Sequence, residues 1–235
     1  MNQHARQQLI KGVIAVSPLC VAVIPWGILA GSYAIEVGMT MLEAQAMSAI
    51  VYAGSAQLVA LGMINSGVGL GTLLLTTFFI TSRHFLYGLT MRDRIAPMPL
   101  KWRLLFGHWL TDELFAICGT QSKEHFNRWF AIGVAGGFYF AWNIVSFIGI
   151  ILGSYIPNLT DYGLEFAVAA TFIAIVFPLI KNIPVAATVF VSLVLSVLLT
   201  RFNIEGALII ASVSGMATGY VCETYFKKRN EGESS

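Results

Sequence analysis

The chain has 235 residues, 57% hydrophobic and only 11% charged, with 14 basic and 12 acidic side chains and a net charge of +2. Soluble globular proteins run at about 45–50% apolar and about 25% charged. This composition therefore excludes a soluble enzyme, a nucleic-acid binder, a disordered tail and a disulfide-built secreted module, and the small net charge implies no polyanionic partner.

An integral membrane protein remains, and the run lengths make it helical. A bilayer core about 30 Å thick takes roughly 20 apolar residues per crossing helix. Barrel strands of about ten alternating residues are absent, and helices satisfy their own backbone in lipid. Apolar segments lie near 12–35, 44–65, 68–88, 104–121, 129–153, 164–180, 184–200 and 204–223. The predicted fold is an all-α polytopic bundle of 7–8 such segments, some broken or re-entrant, over 1–226, with a loose polar tail at 227–235.

Segment 12–35 follows Arg6 and Lys11 as a signal peptide would, but its apolar run is longer than a signal core of about 7–15 residues, so it is a membrane helix. Pro18 and Pro25 are positioned to interrupt it. Segment 44–65 carries Tyr52-Ala53-Gly54-Ser55-Ala56-Gln57 at its centre, small and polar at mid-bilayer depth, with Gly62, Gly67, Gly69 and Gly71 beyond. Two readings stand. Either the helix breaks here and lines a cavity, or the small residues only allow close helix packing.

Segment 68–88 ends in Thr81-Ser82-Arg83-His84-Phe85-Leu86-Tyr87-Gly88. Helical spacing puts His84 on one face with Thr77, Thr81 and Tyr87, a polar stripe on an apolar helix. Arg83 either belongs to a site or snorkels to the headgroups. Segment 104–121 contains His108-Trp109-Leu110-Thr111-Asp112-Glu113. On a continuous helix His108 and Asp112 share a face and form a proton-relay pair, with Asp112 the first choice of coupling group and Glu113 the second. The alternative is a helix start capped by Thr111 or Asp112.

Positive charge sets the topology. If 44–88 makes one net crossing and 104–121 none, the cytoplasmic side collects Arg6, Lys11, Arg92, Arg94, Lys101, Arg103, Lys123, Arg128, Lys181 and the tail cations, leaving Arg201 outside. That six-crossing arrangement puts both termini in the cytoplasm. Five GxxxG pairs mark close helix packing: Gly27/Gly31, Gly67/Gly71, Gly133/Gly137, Gly149/Gly153 and Gly215/Gly219.

Catalysis finds no support. HExxH, a GxSxG-type serine with a partner His, and a P-loop are absent, and Cys20, Cys118 and Cys222 are too scattered for a CxxC site. No metal, cofactor or enzymatic activity is expected.

Three motifs in register, Tyr52–Val59, Ser82–Gly88 and Leu110–Ala116, closely resemble the AzlC family, the large subunit of bacterial branched-chain amino acid exporters. The resemblance covers about 15–120 by motif and the whole chain by length and hydropathy. It implies a secondary exporter of valine, leucine, isoleucine and methionine in the bacterial inner membrane, paired with a small AzlD-type membrane subunit. Members often carry Asp or Asn two residues before the motif arginine. Here that residue is Thr81, so no carboxylate carries over to that position.

A zwitterion needs donors for its carboxylate, acceptors for its ammonium and an apolar pocket. A half-helix amino terminus near Gly54-Ser55 supplies the donors, and Gln57, Thr81 or Asp112 meets the ammonium. The expected substrate site is Tyr52, Gly54, Ser55, Gln57, Thr81, His84 and Tyr87, and the expected proton site is Asp112, Glu113 and His108. The small subunit is expected on Gly133/Gly137 or Gly215/Gly219. Met41-Leu42-Glu43-Ala44 and Gly163-Leu164-Glu165-Phe166 hint at an internal repeat. Two rivals remain: an uncoupled channel or facilitator, and a non-transporting scaffold subunit.

Overall fold

The computed structural model describes residues 3–119, 121–156, 180–202, 204 and 206–233, with the single positions 166, 173 and 177. Segment 164–180 and the second half of the suspected repeat lie largely outside the described residues. The remaining apolar segments fall on helices, and no strand occurs among the described residues. The helices are α1 (Gln3–Ala22), α2 (Ile24–Glu36), α3 (Met41–Ala46), α4 (Gly54–Asn65), α5 (Leu70–Ile95), α6 (Leu100–His108), α7 (Asp112–Cys118), α8 (Arg128–Tyr155), α9 (Ile183–Arg201) and α10 (Ala207–Glu233), with one π-helical turn at Met47–Val51.

Residue contacts divide the chain into two compact units, 1–169 and 170–235, where the sequence reading has one domain over 1–226. By length and apolar composition α8 and α9 can each cross a membrane, and the α1–α2 pair makes a third span if taken as one. That pair bends by 58°. Pro25 in the first turn of α2 lacks an N–H, so the chain turns at Val23, while Pro18 stays inside α1. The backbone of α10 continues to Glu233, so the polar end carries on the last helix where the sequence reading expects a loose tail.

Helix starts follow local chemistry. The Asn127 side chain accepts from the amides of Trp129 and Phe130 at 3.0 and 3.3 Å, and Asn182 accepts from Val185 at 3.0 Å. Thr40 and Glu43 close a reciprocal capping box at the start of α3.

In the first unit α8 is the central helix, and α1 and α2 lie along it on glycine seams. A Cβ at Gly12 would strike the Phe130 carbonyl, and one at Gly133 the Leu9 carbonyl. Gly31 and Gly149 meet the backbones of Ser146 and Ile28 in the same way. In the second unit Gly215 and Gly219 sit against Ser192 and Thr188 of α9. Both seams proposed for a partner are therefore occupied by the chain's own helices, which corrects that expectation. Van der Waals contact between backbones drives such seams, because lipid supplies no hydrophobic force between helices. Of the five pairs, Gly67/Gly71 alone meets nothing within 4 Å.

The two glycines of one seam should respond differently. Gly133→Ala forces α1 off α8, at a cost of about 1–3 kcal/mol. At Gly137 the nearest contact is the movable Val16 Cγ1 at 3.1 Å, and alanine's helix propensity, worth about 1 kcal/mol, offsets the crowding. Thermal unfolding in detergent should separate the two variants, and equal melting temperatures would contradict the seam.

Candidate functional site

The break in segment 44–65 lies where the small polar run begins. After the π-helical turn, in which the Tyr52 amide reaches back to the Met47 carbonyl at 3.4 Å, Tyr52 takes a left-handed conformation with φ 46° and ψ 46°. A bulky non-glycine residue occupies that region only when its surroundings hold it there. They do: the Tyr52 ring is 5% exposed and lies edge-on to Tyr139 at 4.9 Å, near His108 at 6.0 Å and Phe138 at 6.5 Å. The interruption frees the Ala49 carbonyl, and the Tyr139 hydroxyl donates to it at 3.1 Å.

Helix α4 then starts afresh at Gly54 with no side-chain cap. Its first amides keep their donor capacity, and its macrodipole presents positive charge there. Gly54 packs against the indole of Trp142 on α8, where a Cβ would come within 2.9 Å of Cη2. Gln57, fully buried, donates to Ser48 across the break at 3.0 Å, and its carbonyl oxygen makes no hydrogen bond. The hydroxyl of Tyr52 and the indole nitrogen of Trp142 are also buried and unbonded.

Ser55, in the first turn of α4, accepts from Arg83 of α5 at 2.8 Å. The same guanidinium pairs with Asp112 of α7 at 3.0 Å, and Tyr87 donates to the other Asp112 oxygen at 2.8 Å. Arg83 therefore ties three helices together and does not snorkel. Its Nε is buried without a partner. Tyr87 also stacks on Phe115 of α7, with ring centroids 4.2 Å apart. The far end of α7 is held by Arg94, which donates to the carbonyls of Cys118, Gly119 and Gln121 at 2.7–2.9 Å. A guanidinium thus satisfies the carbonyls that the end of this short helix leaves open.

The expected residues divide. Tyr52, Gly54, Ser55 and Gln57 line the break, and Ser55, Tyr87 and Asp112 join one network through Arg83. Thr81 and His84 stay with their own helix: the Thr81 hydroxyl donates to Thr77 O at 2.8 Å, and His84 Nδ1 contacts Thr81 O at 3.0 Å. The pairing of His108 with Asp112 is corrected, because α6 ends at His108 and α7 begins at Asp112, so no common helix face exists. His108 turns instead to the rings of Tyr52 and Tyr139. Thr111 takes the N-cap position without a capping hydrogen bond, so Asp112 and Glu113 open the first turn of α7. Carboxylates there are favoured by the dipole. Among the described residues Glu113 makes no ion pair, in contrast to Asp112.

Sequence reasoning missed Trp142 and Tyr139. Both lie inside α8, whose apolar run gives no sign that two of its rings support a broken helix elsewhere in the chain.

The family model described as "AzlC protein" matches residues 18–156, which hold the break, the Arg83 network and α8. The chain is 33% identical over 141 residues to inner membrane protein YgaZ of Escherichia coli K12, covering 58% of each chain. It is 30% identical over 152 residues to the branched-chain amino acid transport protein AzlC of Bacillus subtilis 168, covering 63% of this chain and 59% of that one. An uncharacterized membrane protein of Helicobacter pylori 26695 is 29% identical over 196 residues, covering 80% and 82%. The chain thus spans less than two thirds of the length of the first two relatives. No solved structure matches it.

Proposed function

The chain belongs to the AzlC family of membrane transport proteins, and from that premise we propose that it exports branched-chain amino acids across the bacterial inner membrane. It works as the large subunit of a two-component exporter, with a small AzlD-type membrane subunit, by proton-coupled alternating access. Valine, leucine, isoleucine and methionine are the expected substrates, because an apolar pocket separates such side chains by only about 1–3 kcal/mol.

The observation that carries this reading is the interruption at Tyr52–Ala53, which exposes the amino terminus of α4 beside Arg83. Uncapped amides and a guanidinium suit the substrate carboxylate. Acceptors for the ammonium stand opposite, on the first turn of α7. Arg83 joins the substrate residues expected from sequence, while Thr81 and His84 support α5 from within. Asp112, held by Arg83 and Tyr87, serves as a fixed countercharge.

Reconstitution with the small subunit tests the reading. With the membrane potential clamped, the valine ratio that proteoliposomes reach should shift about tenfold toward the receiving side when its pH falls by one unit, since one pH unit corresponds to about 1.4 kcal/mol per proton. Flux indifferent to the gradient would favour the uncoupled facilitator. Valine flux from the small subunit alone would favour the scaffold, and full export by this chain alone would overturn the two-component arrangement.

A further inference from the structure

Charge arithmetic at the amino terminus of α7 leaves a remainder. Three ionisable side chains meet there: Arg83, Asp112 and Glu113. Arg83 and Asp112 neutralise each other at 3.0 Å. Glu113 is half-buried and makes no ion pair among the described residues, so its ionised form leaves the cluster one uncompensated negative charge. An unpaired carboxylate in a low-dielectric setting demands a counter-cation or a proton.

Among the described residues the surroundings supply no second cation beyond Arg83, which Asp112 already holds. Cys20 on α1, Tyr52 before α4, Tyr87 on α5, Thr111 and the neighbouring Asp112 all interact with Glu113, and the one cation that acts on it, Arg83, is already paired with Asp112. Tyr139 of α8 and His108 of α6 lie behind the Tyr52 ring at 4.9 and 6.0 Å. Arg94, at the opposite end of α7, is spent on backbone carbonyls. Beside Glu113 the Tyr52 hydroxyl, on a side chain 5% exposed, makes no hydrogen bond. A buried hydroxyl without a partner next to an uncompensated carboxylate marks a place for a cationic donor that the chain itself does not provide.

We propose that Glu113 is the single exchange site of the transporter, holding the substrate ammonium and the coupling proton in turn. The proposal rests on the amino acid transport reading above and deepens it. The step balances: a protonated Glu113 and an amino acid ammonium become a carboxylate–ammonium pair and one released proton. On the cytoplasmic side the carboxylate gives up its proton and takes the amino acid. On the outer side, acidified by the proton gradient, a proton displaces the amino acid. One zwitterion leaves for each proton that enters, so the cycle moves one positive charge inward. Two ligands that share one carboxylate cannot be bound together, and this exclusion couples them without any second site.

Calorimetry on the purified two-subunit complex tests the proposal, with valine binding measured between about pH 5 and 9 in buffers of different ionisation enthalpy. Below the carboxyl's titration, valine affinity should fall up to about tenfold per pH unit, and about one proton should be released per valine bound. Glu113→Gln should weaken binding about a hundredfold and remove both the pH slope and the released proton, and Glu113→Asp should restore both. Valine binding that releases no proton at any pH, or a pH slope that survives in Glu113→Gln, overturns the proposal and leaves the transport reading standing. Absence of valine binding by the unmodified complex overturns both. If Glu113→Gln fails to fold, the proton count of the unmodified complex still decides.

Discussion

Replacing Arg83 with glutamine should abolish valine export, with a fall of at least about a hundredfold in proteoliposome flux, and should destabilise the protein as well. Arg83 joins Ser55 on α4 to Asp112 on α7 at 2.8 and 3.0 Å. Without it Asp112 keeps only the Tyr87 hydroxyl, and two neighbouring carboxylates repel each other with no cation to offset them. Breaking a fully buried pair costs about 3–5 kcal/mol. The Arg83 and Asp112 side chains are 34% and 30% exposed, so solvent screening brings the expected loss to about 2 kcal/mol. Thermal unfolding in detergent reads that loss. Adding Asp112→Asn to Arg83→Gln should recover much of the stability but not the export, because the guanidinium near α4 is still missing. Wild-type flux from Arg83→Gln would remove the network from the transport cycle.

Gly54→Leu should also eliminate export, by a different route. Gly54 is the first residue of α4, and a Cβ there would stand 2.9 Å from Cη2 and 3.4 Å from Cζ3 of Trp142. The indole is 3% exposed and packed within the core around α8, so it has nowhere to go. Overpacking of this kind costs about 1–3 kcal/mol, and it displaces the amides that suit the substrate carboxylate. Membrane insertion should persist, since leucine raises the apolar character of the segment. Gly54→Ala should fall between the two. Comparing membrane-inserted amounts with valine flux separates the effects, and a Gly54→Leu protein that exports normally would place the substrate elsewhere.

Hydropathy and helix breakers act over a few residues, so the sequence determines what depends on them. The all-α membrane class and the bend at Pro25 follow from local composition, while the interruption beside Gly54 is one of two outcomes that its small polar run allows. Even the capping box at Thr40–Glu43 is a matter of three residues. The break at Trp109–Thr111 was harder to read. No proline or glycine marks it, and a continuous helix made His108 and Asp112 look like neighbours.

What the tertiary structure alone decided is which helix meets which. Snorkelling and site-forming arginines are identical in sequence, and only the approach of α4 and α7 makes Arg83 a three-helix tie. GxxxG pairs likewise state that a close neighbour exists without naming it. Helices α1 and α9 proved to fill the two seams offered to a partner. The choice between Asp112 and Glu113 depends on the same fact. Two adjacent carboxylates read alike along the chain, but helical geometry pairs one with Arg83 and leaves the other without an ion pair among the described residues.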